Sequence, residues 1–282
     1  MARRIKYRLP GMQTDGTVSN FKSKKVMRYL SILFCLFSMR LVAQPIVNSE
    51  ELIFLTIDKD VLAKNGYKGC YMYDQLAGEK NLRGIYLFNA NGNIESQDEF
   101  YVMNGDGDTV DLKTNYYYDE AGLLVRRTIT EVSRATKDTT ENTTIIFTYD
   151  KKRLVKSVSD KLNTVSTYVY NAAGKLITIT ELLESDNALQ SKAQFTYDAS
   201  GRLATIQYGR RNSYGNELRS RTIKCLYDTK GRLYGLNGIM NLEKYGTTIV
   251  FNDKGLPETQ QGQDVVTSFW YNYTYCTDCK WK

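Results

Sequence analysis

No histidine occurs among the 282 residues. That absence removes Ser-His-Asp and Cys-His nucleophilic machinery, imidazole metal sites and imidazole proton shuttling, because no other side chain titrates unperturbed near neutrality. Any catalysis would rest on carboxylates, Tyr, Lys or Cys. Proline is also scarce, at 3 residues. What is abundant is strand-forming: 22 Tyr, a hydrophobic fraction of 42% and an aromatic fraction of 12%, the composition of a folded chain and not of a disordered one. The length admits one large domain or two small ones, each able to bury a core. A net charge of +7 and a pI near 9.0 point at face value to nucleic acid or a membrane surface.

The position of that charge changes its meaning. Lys24, Lys25 and Arg28 precede the apolar run from Tyr29 to Met39, and Leu41-Val42-Ala43 follows it before Gln44-Pro45, the pattern of a secretory signal peptide cleaved after Ala43. At about 11 residues the run is too short to span a bilayer, which takes about 20. Residues 1–26 are polar and basic, which makes Met27 a second candidate start. Taking the leader's 9 Lys+Arg and single Asp from totals of 38 and 31 leaves 29 basic and 30 acidic residues, a net charge of −1 for the remaining 239. No cationic block is left to release counterions from nucleic acid. The expected organisation is therefore an N-terminal extension and signal peptide (1–43), a lead-in segment (44–70) and a β domain (71–282), exported to the periplasm, cell surface or medium of a Gram-negative cell, with no transmembrane helix in the mature chain.

Cysteine use agrees with export. Cys70, Cys225, Cys276 and Cys279 remain after the leader, and four cysteines allow three disulfide pairings that sequence leaves open, Cys276 with Cys279 among them. The CxxC of Cys276 and Cys279 lies after an aromatic strand-like run, not at the start of a helix as a redox motif would, and Cys70 and Cys225 lack partners at zinc-ligand spacing. No metal site and no cofactor is expected.

Self-comparison reveals one unit written many times: an aromatic-rich alternating stretch, Asp or Asn, two residues, usually Gly, often a polar residue, then Leu or Ile. Copies include YYYDEAGLL (Tyr116–Leu124), FTYDKKRL (Phe147–Leu154), YVYNAAGKL (Tyr168–Leu176), FTYDASGRL (Phe195–Leu203), CLYDTKGRL (Cys225–Leu233) and IVFNDKGL (Ile249–Leu256), preceded by YLFNANGNI (Tyr86–Ile94). FWYNYTY (Phe269–Tyr275) reads as a degenerate last copy and YMYDQLAGEK near Tyr71 as a worn first one. The Asx residue opens a turn by accepting backbone N–H bonds just ahead, and the Gly supplies the φ > 0 that closes it. Structural turn positions are thus Asp119 with Gly122, Asp150, Asn171 with Gly174, Asp198 with Gly201, Asp228 with Gly231 and Asn252 with Gly255. The residue before each Asx is aromatic in all seven main copies, and the one two earlier is aromatic in five, with Cys225 and Ile249 the exceptions. Period-two aromatics predict one buried face of a sheet. The fold class is therefore all-β: an antiparallel meander of repeated hairpins, about 14 to 18 strands, forming a long coiled sheet or an open barrel-like shell.

YDASGRL, YDTKGRL and YNAAGKL resemble the tyrosine–aspartate (YD) repeats of RHS-type proteins of bacterial surfaces and secreted toxins, over roughly Tyr71 to Tyr275. The resemblance implies coiled hairpin strips, export, an association with carbohydrate or heparin, and a structural role for the repeat Asp and Tyr. Unlike the large toxins, the chain is too short to enclose a toxin, has no DPxG-like boundary and shows no catalytic domain after the repeats. It is more similar to the short, signal-bearing YD-repeat proteins of Bacteroidetes.

No catalytic residue is assigned. Asn104 to Asp111 has oxygen ligands at alternate positions but lacks the Gly and the bidentate acid of an EF-hand loop, so a solvated turn is the expectation. Neither the pair Asp98 and Glu99 nor the pair Glu181 and Glu184 has a spacing that sets two acids across a glycosidic bond. Aromatics outside the repeat register, namely Tyr101, Tyr208, Tyr214, Tyr245, Trp270 and Trp281, are the candidates for stacking sugar rings if they face solvent. The expected function is a non-catalytic binding or structural module of the cell envelope whose partner is a glycan or a protein surface, with no nucleic acid. Two alternatives are kept: a His-free, carboxylate-dependent polysaccharide hydrolase, and an adaptor or immunity-like partner of a secretion system.

Overall fold

Seven tight turns set the architecture. In six of them the Asx carbonyl accepts the N–H of the residue three later at 2.8–2.9 Å, and that residue is a Gly at φ +73 to +81°. The Asx side-chain oxygen accepts the N–H four residues on, as in Asp119 with Leu123 (2.8 Å) and Asn252 with Leu256 (3.0 Å). This contact holds the Asp198 carboxyl below the ordinary carboxylate range, through the Arg202 backbone N–H first and its side chain second. The copy without Gly takes another solution. Asp150 pairs directly with Arg153, leaving a two-residue loop of Lys151 (φ 46°) and Lys152 (φ 65°), the two left-handed residues of a type I′ hairpin.

The computed structural model describes residues 56–76, 79–103, 109–211, 218–240, 243–263 and 268–279. The leader and signal segment, and Asn104 to Asp108 of the oxygen-rich stretch, lie outside these. A short helix, α1 (Lys59–Lys64), comes first, capped by the Asp58 carboxylate on the Asp60 and Val61 N–H groups. The strands follow as β1 (Gly69–Leu76), β2 (Glu79–Phe88), β3 (Ile94–Met103), β4 (Thr109–Tyr118), β5 (Leu124–Ser133), β6 (Thr139–Asp150), β7 (Arg153–Ser159) and β8 (Thr164–Tyr170). The second half comprises β9 (Leu176–Leu183), β10 (Leu189–Tyr197), β11 (Leu203–Arg211), β12 (Leu218–Tyr227), β13 (Leu233–Met240), β14 (Glu243–Phe251), β15 (Pro257–Gln263) and β16 (Ser268–Cys276). Each pairs antiparallel with its neighbours, and β1 pairs with β16 from Gly69 opposite Cys276 to Asp74 opposite Tyr271. The meander closes into a barrel of sixteen strands.

Alternation decides which face is which. Along β10, Ser191, Ala193 and Phe195 are buried while Lys192, Gln194 and Thr196 are exposed. The same rule places the repeat aromatics inside, and Leu124, Leu154, Leu176 and Leu203 beside them. The inner face is therefore the core, and the outer face carries Lys113, Arg126, Lys156, Lys192 and Lys224 in mid-wall. Among the described residues, these charged side chains interrupt the outward apolar band, about 25 Å tall, that a barrel crossing a bilayer with its strands carries. No helix among the described residues is long and apolar enough to cross a membrane. At the end of the barrel where the tight turns lie, α1 inserts fully buried Leu62 into the core, and the Lys59 carbonyl rests on Gly92 so closely that a Cβ there would collide with it.

The two outermost repeat copies are placed differently from expectation. Asn272 opens no turn; it lies within β16, opposite Tyr73. The eighth turn is Tyr275-Cys276-Thr277-Asp278-Cys279, with a Cys276–Cys279 disulfide (Cα–Cα 5.4 Å) standing where other repeats have the Asx-to-Gly bond. Asp74 opens no repeat turn either. It is buried and paired with Arg83 at 2.6 Å, and β1 and β2 connect at the opposite end of the barrel.

Candidate functional site

The repeated chemistry of the units is used inside the wall. The phenol of the pre-turn Tyr donates to the carbonyl of the Leu or Ile that follows the preceding turn: Tyr118 to Ile94 (2.8 Å), Tyr149 to Leu124 (2.9 Å), Tyr170 to Leu154 (2.9 Å), Tyr197 to Leu176 (2.7 Å) and Tyr227 to Leu203 (2.9 Å). Burial pushes the Tyr197 phenol up to about 12. In three of the six glycine turns a basic residue follows the Gly and covers the next repeat's ring: Lys175 over Tyr197 at 4.9 Å, Arg202 over Tyr227 at 4.7 Å, Arg232 over Phe251 at 4.2 Å. One layer further in, three copies have Tyr as the second aromatic with a polar side chain on the preceding strand at its hydroxyl, and in a fourth the Tyr86 hydroxyl meets the Met72 thioether at 3.5 Å. Tyr116 donates to Gln97 (2.9 Å), Tyr273 to Gln260 (2.8 Å), and Tyr168 shares a bond with Ser157 (3.0 Å). Where that neighbour is Ile179 or Ile206, the layer holds Phe195 or Cys225.

Away from the tight turns the inner wall becomes polar. Ser166, Glu181, Ser191 and Arg210 stand in one inward register row across β8 to β11. The Ser191 hydroxyl donates to Glu181 Oε2 at 2.7 Å. Burial raises the Glu181 carboxyl above its ordinary value, against the pull of Ser191, Thr164 and Arg210. Tyr208 lies beside this row with the Arg221 guanidinium 5.2 Å from its ring. Neither carboxylate pair considered from sequence converges. Asp98 faces outward opposite Lys113 while Glu99 faces inward and accepts from Gln97 at 2.5 Å; Glu181 is buried while Glu184 is exposed in the following loop. Both free thiols are raised by burial, Cys225 to about 12, so neither is a poised nucleophile. Among the described residues no cluster of three or more His, Cys, Asp or Glu could hold a metal.

Among the described residues, an aromatic surface of the outer face lies where the barrel closes. Tyr71 and Tyr73 project outward from β1, between inward Cys70, Met72 and Asp74, with ring centroids 6.3 Å apart. Lys80 Nζ is 4.0 Å from the Tyr73 centroid. On β16, Trp270 is 51% exposed and diagonal to Tyr73, whose direct partner is Asn272; Gln261 of β15 is opposite Trp270. Three rings flanked by amides can stack the C–H face of a sugar and hydrogen-bond its hydroxyls.

Of the aromatics singled out from sequence, Trp270 belongs to this surface and Tyr208 does not, since it is buried on the inner face. Tyr214 and Trp281, and the side chains of Tyr101 and Tyr245, lie outside what the structure describes. Tyr71 and Tyr73 belong to the stretch that reads in sequence as a worn first repeat. The available signal was spacing: Gly78 comes four residues after Asp74, not three.

No family model matches the sequence, and no curated protein matches it. Among solved structures, a porin-like protein from Bacteroides uniformis is 12% identical with a TM-score of 0.48, covering 74% of this chain and 97% of that one. A porin-like protein from Bacteroides vulgatus is 13% identical with a TM-score of 0.38, covering 73% and 97%. A Photorhabdus luminescens Tc holotoxin pore is 14% identical with a TM-score of 0.33 over 73% of this chain and 11% of that one.

Proposed function

We propose that the mature chain is an exported cell-envelope protein that acts as a non-catalytic binding module, a rigid repeat barrel presenting carbohydrate-binding rings at its seam. The observation that carries this reading is the exposed Trp270 beside outward Tyr71 and Tyr73, on a wall whose pre-turn repeat aromatics face inward. The signal-peptide pattern and the Cys276–Cys279 disulfide support export, since disulfides persist in oxidising compartments. The absence of His and the failure of the candidate acid pairs to converge support binding over hydrolysis. A glycan array probed with the chain from Gln44 onward tests it. Binding to a defined set of glycans is expected, weakened at least about tenfold by Trp270→Ala or Tyr73→Ala, in line with buried aromatic anchors at interfaces. No glycan binding, or binding indifferent to both substitutions, contradicts the proposal.

A further inference from the structure

A second outward surface lies on the wall far from the seam. Ile146, Val158, Val165 and Leu182 are direct register partners across β6, β7, β8 and β9, and all four point outward. The row continues to Leu189 on β10 and, through Arg126, to Tyr117 on β4. Ile146 is 46% exposed and Tyr117 38%. Rows on either side are polar, so this is a single apolar stripe about 20 Å long from β6 to β10, at about 4.8 Å per strand.

The charges beside the stripe differ by side. Toward the tight turns lie exposed Lys156 and Lys192; toward the opposite end lie exposed Asp160, Glu184 and Asp186, with Lys161. Along β7 and the residue that follows it the outward sequence is Lys156, Val158, Asp160: base, apolar, acid, symmetric about the stripe. The Asp160 Oδ1 atom already accepts the Thr144 N–H at 2.8 Å, which fixes its position beside β7.

The geometry points to a second copy of this chain as the occupant, docked stripe on stripe about a two-fold axis that runs along the stripe. Such an axis reverses strand direction in the partner. Each apolar side chain then meets its own copy, Lys156 faces the partner's Asp160, and Lys192 faces the partner's Asp186. An axis parallel to the strands would instead set bases against bases and acids against acids, so the charge pattern selects one isologous arrangement. The surface is smaller than the roughly 800 Å² per partner of a stable complex, which makes the pairing weak and concentration-dependent. It leaves the seam free.

Sedimentation velocity on the mature chain over a concentration series tests this. A reversible monomer–dimer equilibrium is expected. Lys156→Glu and Asp160→Lys should each weaken it at least about tenfold, because each reversal creates two like-charge contacts per dimer. The double variant should restore it, which a merely unfolded protein cannot do, and Val165→Asp should abolish it while circular dichroism stays unchanged. A single monomeric species at every concentration overturns the inference, as does a dimer indifferent to these variants or a double variant as weak as the singles.

Discussion

The phenol of Tyr197 does two jobs in the wall: its ring fills the core and its hydroxyl satisfies the Leu176 carbonyl across the repeat boundary at 2.7 Å. Tyr197→Phe keeps the ring and removes the bond, so the urea midpoint should fall by an amount equivalent to about 1 kcal/mol with the slope unchanged. An undiminished midpoint would mean the bond is idle. Glu181 behaves oppositely. Its folded-state carboxyl is raised above the 4.5 of an ordinary Glu, so between those two values the unfolded chain has already released its proton while the folded chain retains it. Stability therefore falls as pH rises through that window, and the loss persists at neutrality. Glu181→Gln should melt with the parent at pH 4 and above it at pH 7.5. The same difference at both pH values would contradict the assignment.

Among the elements, the turns show how much was local. Asx and Gly act on neighbours within four residues, so the six glycine turns were legible in sequence, as was the alternation that turns aromatics inward. The first and last copies were misread because what decides them is distant. Asp74 is claimed by Arg83 on β2, and Asn272 is fixed opposite Tyr73, 199 positions away in the chain. The disulfide's role as a turn closure emerges only when Cys276 and Cys279 are aligned with the Asx and Gly of other units. Trp270 could be singled out from sequence, but its companions Tyr71 and Tyr73 could not, because their membership depends on closure. Glycine substitutions separate strain from collision. Gly122→Ala, at φ +75° with nothing within 4 Å, should cost about 1 kcal/mol from backbone conformation alone. Gly92→Ala adds a clash with the Lys59 backbone and should lower the melting temperature further, detaching α1. Lys152→Gly, relieving a side chain at φ +65°, should raise it. Equal effects at Gly92 and Gly122 would show that α1 does not pack where described.

At the scale of the whole molecule, β1 and β16 come from the two ends of the described chain, and their pairing does two things at once. It removes the open edges that would otherwise template aggregation. It also brings Tyr71 and Tyr73 to Trp270, so the proposed binding surface exists only in the closed barrel. The Cys276–Cys279 turn sits on this seam, with Lys68 N–H donating to the Cys276 carbonyl at 2.8 Å and Gly69 against Cys279. Closure is most directly read by hydrogen exchange of the seam amides. The account predicts that amides in 70–74 and 271–275 are protected to the level of those in β8 and β9, which lie far from either end. Seam amides exchanging at the rate of a free strand edge, while β8 and β9 stay protected, would contradict it.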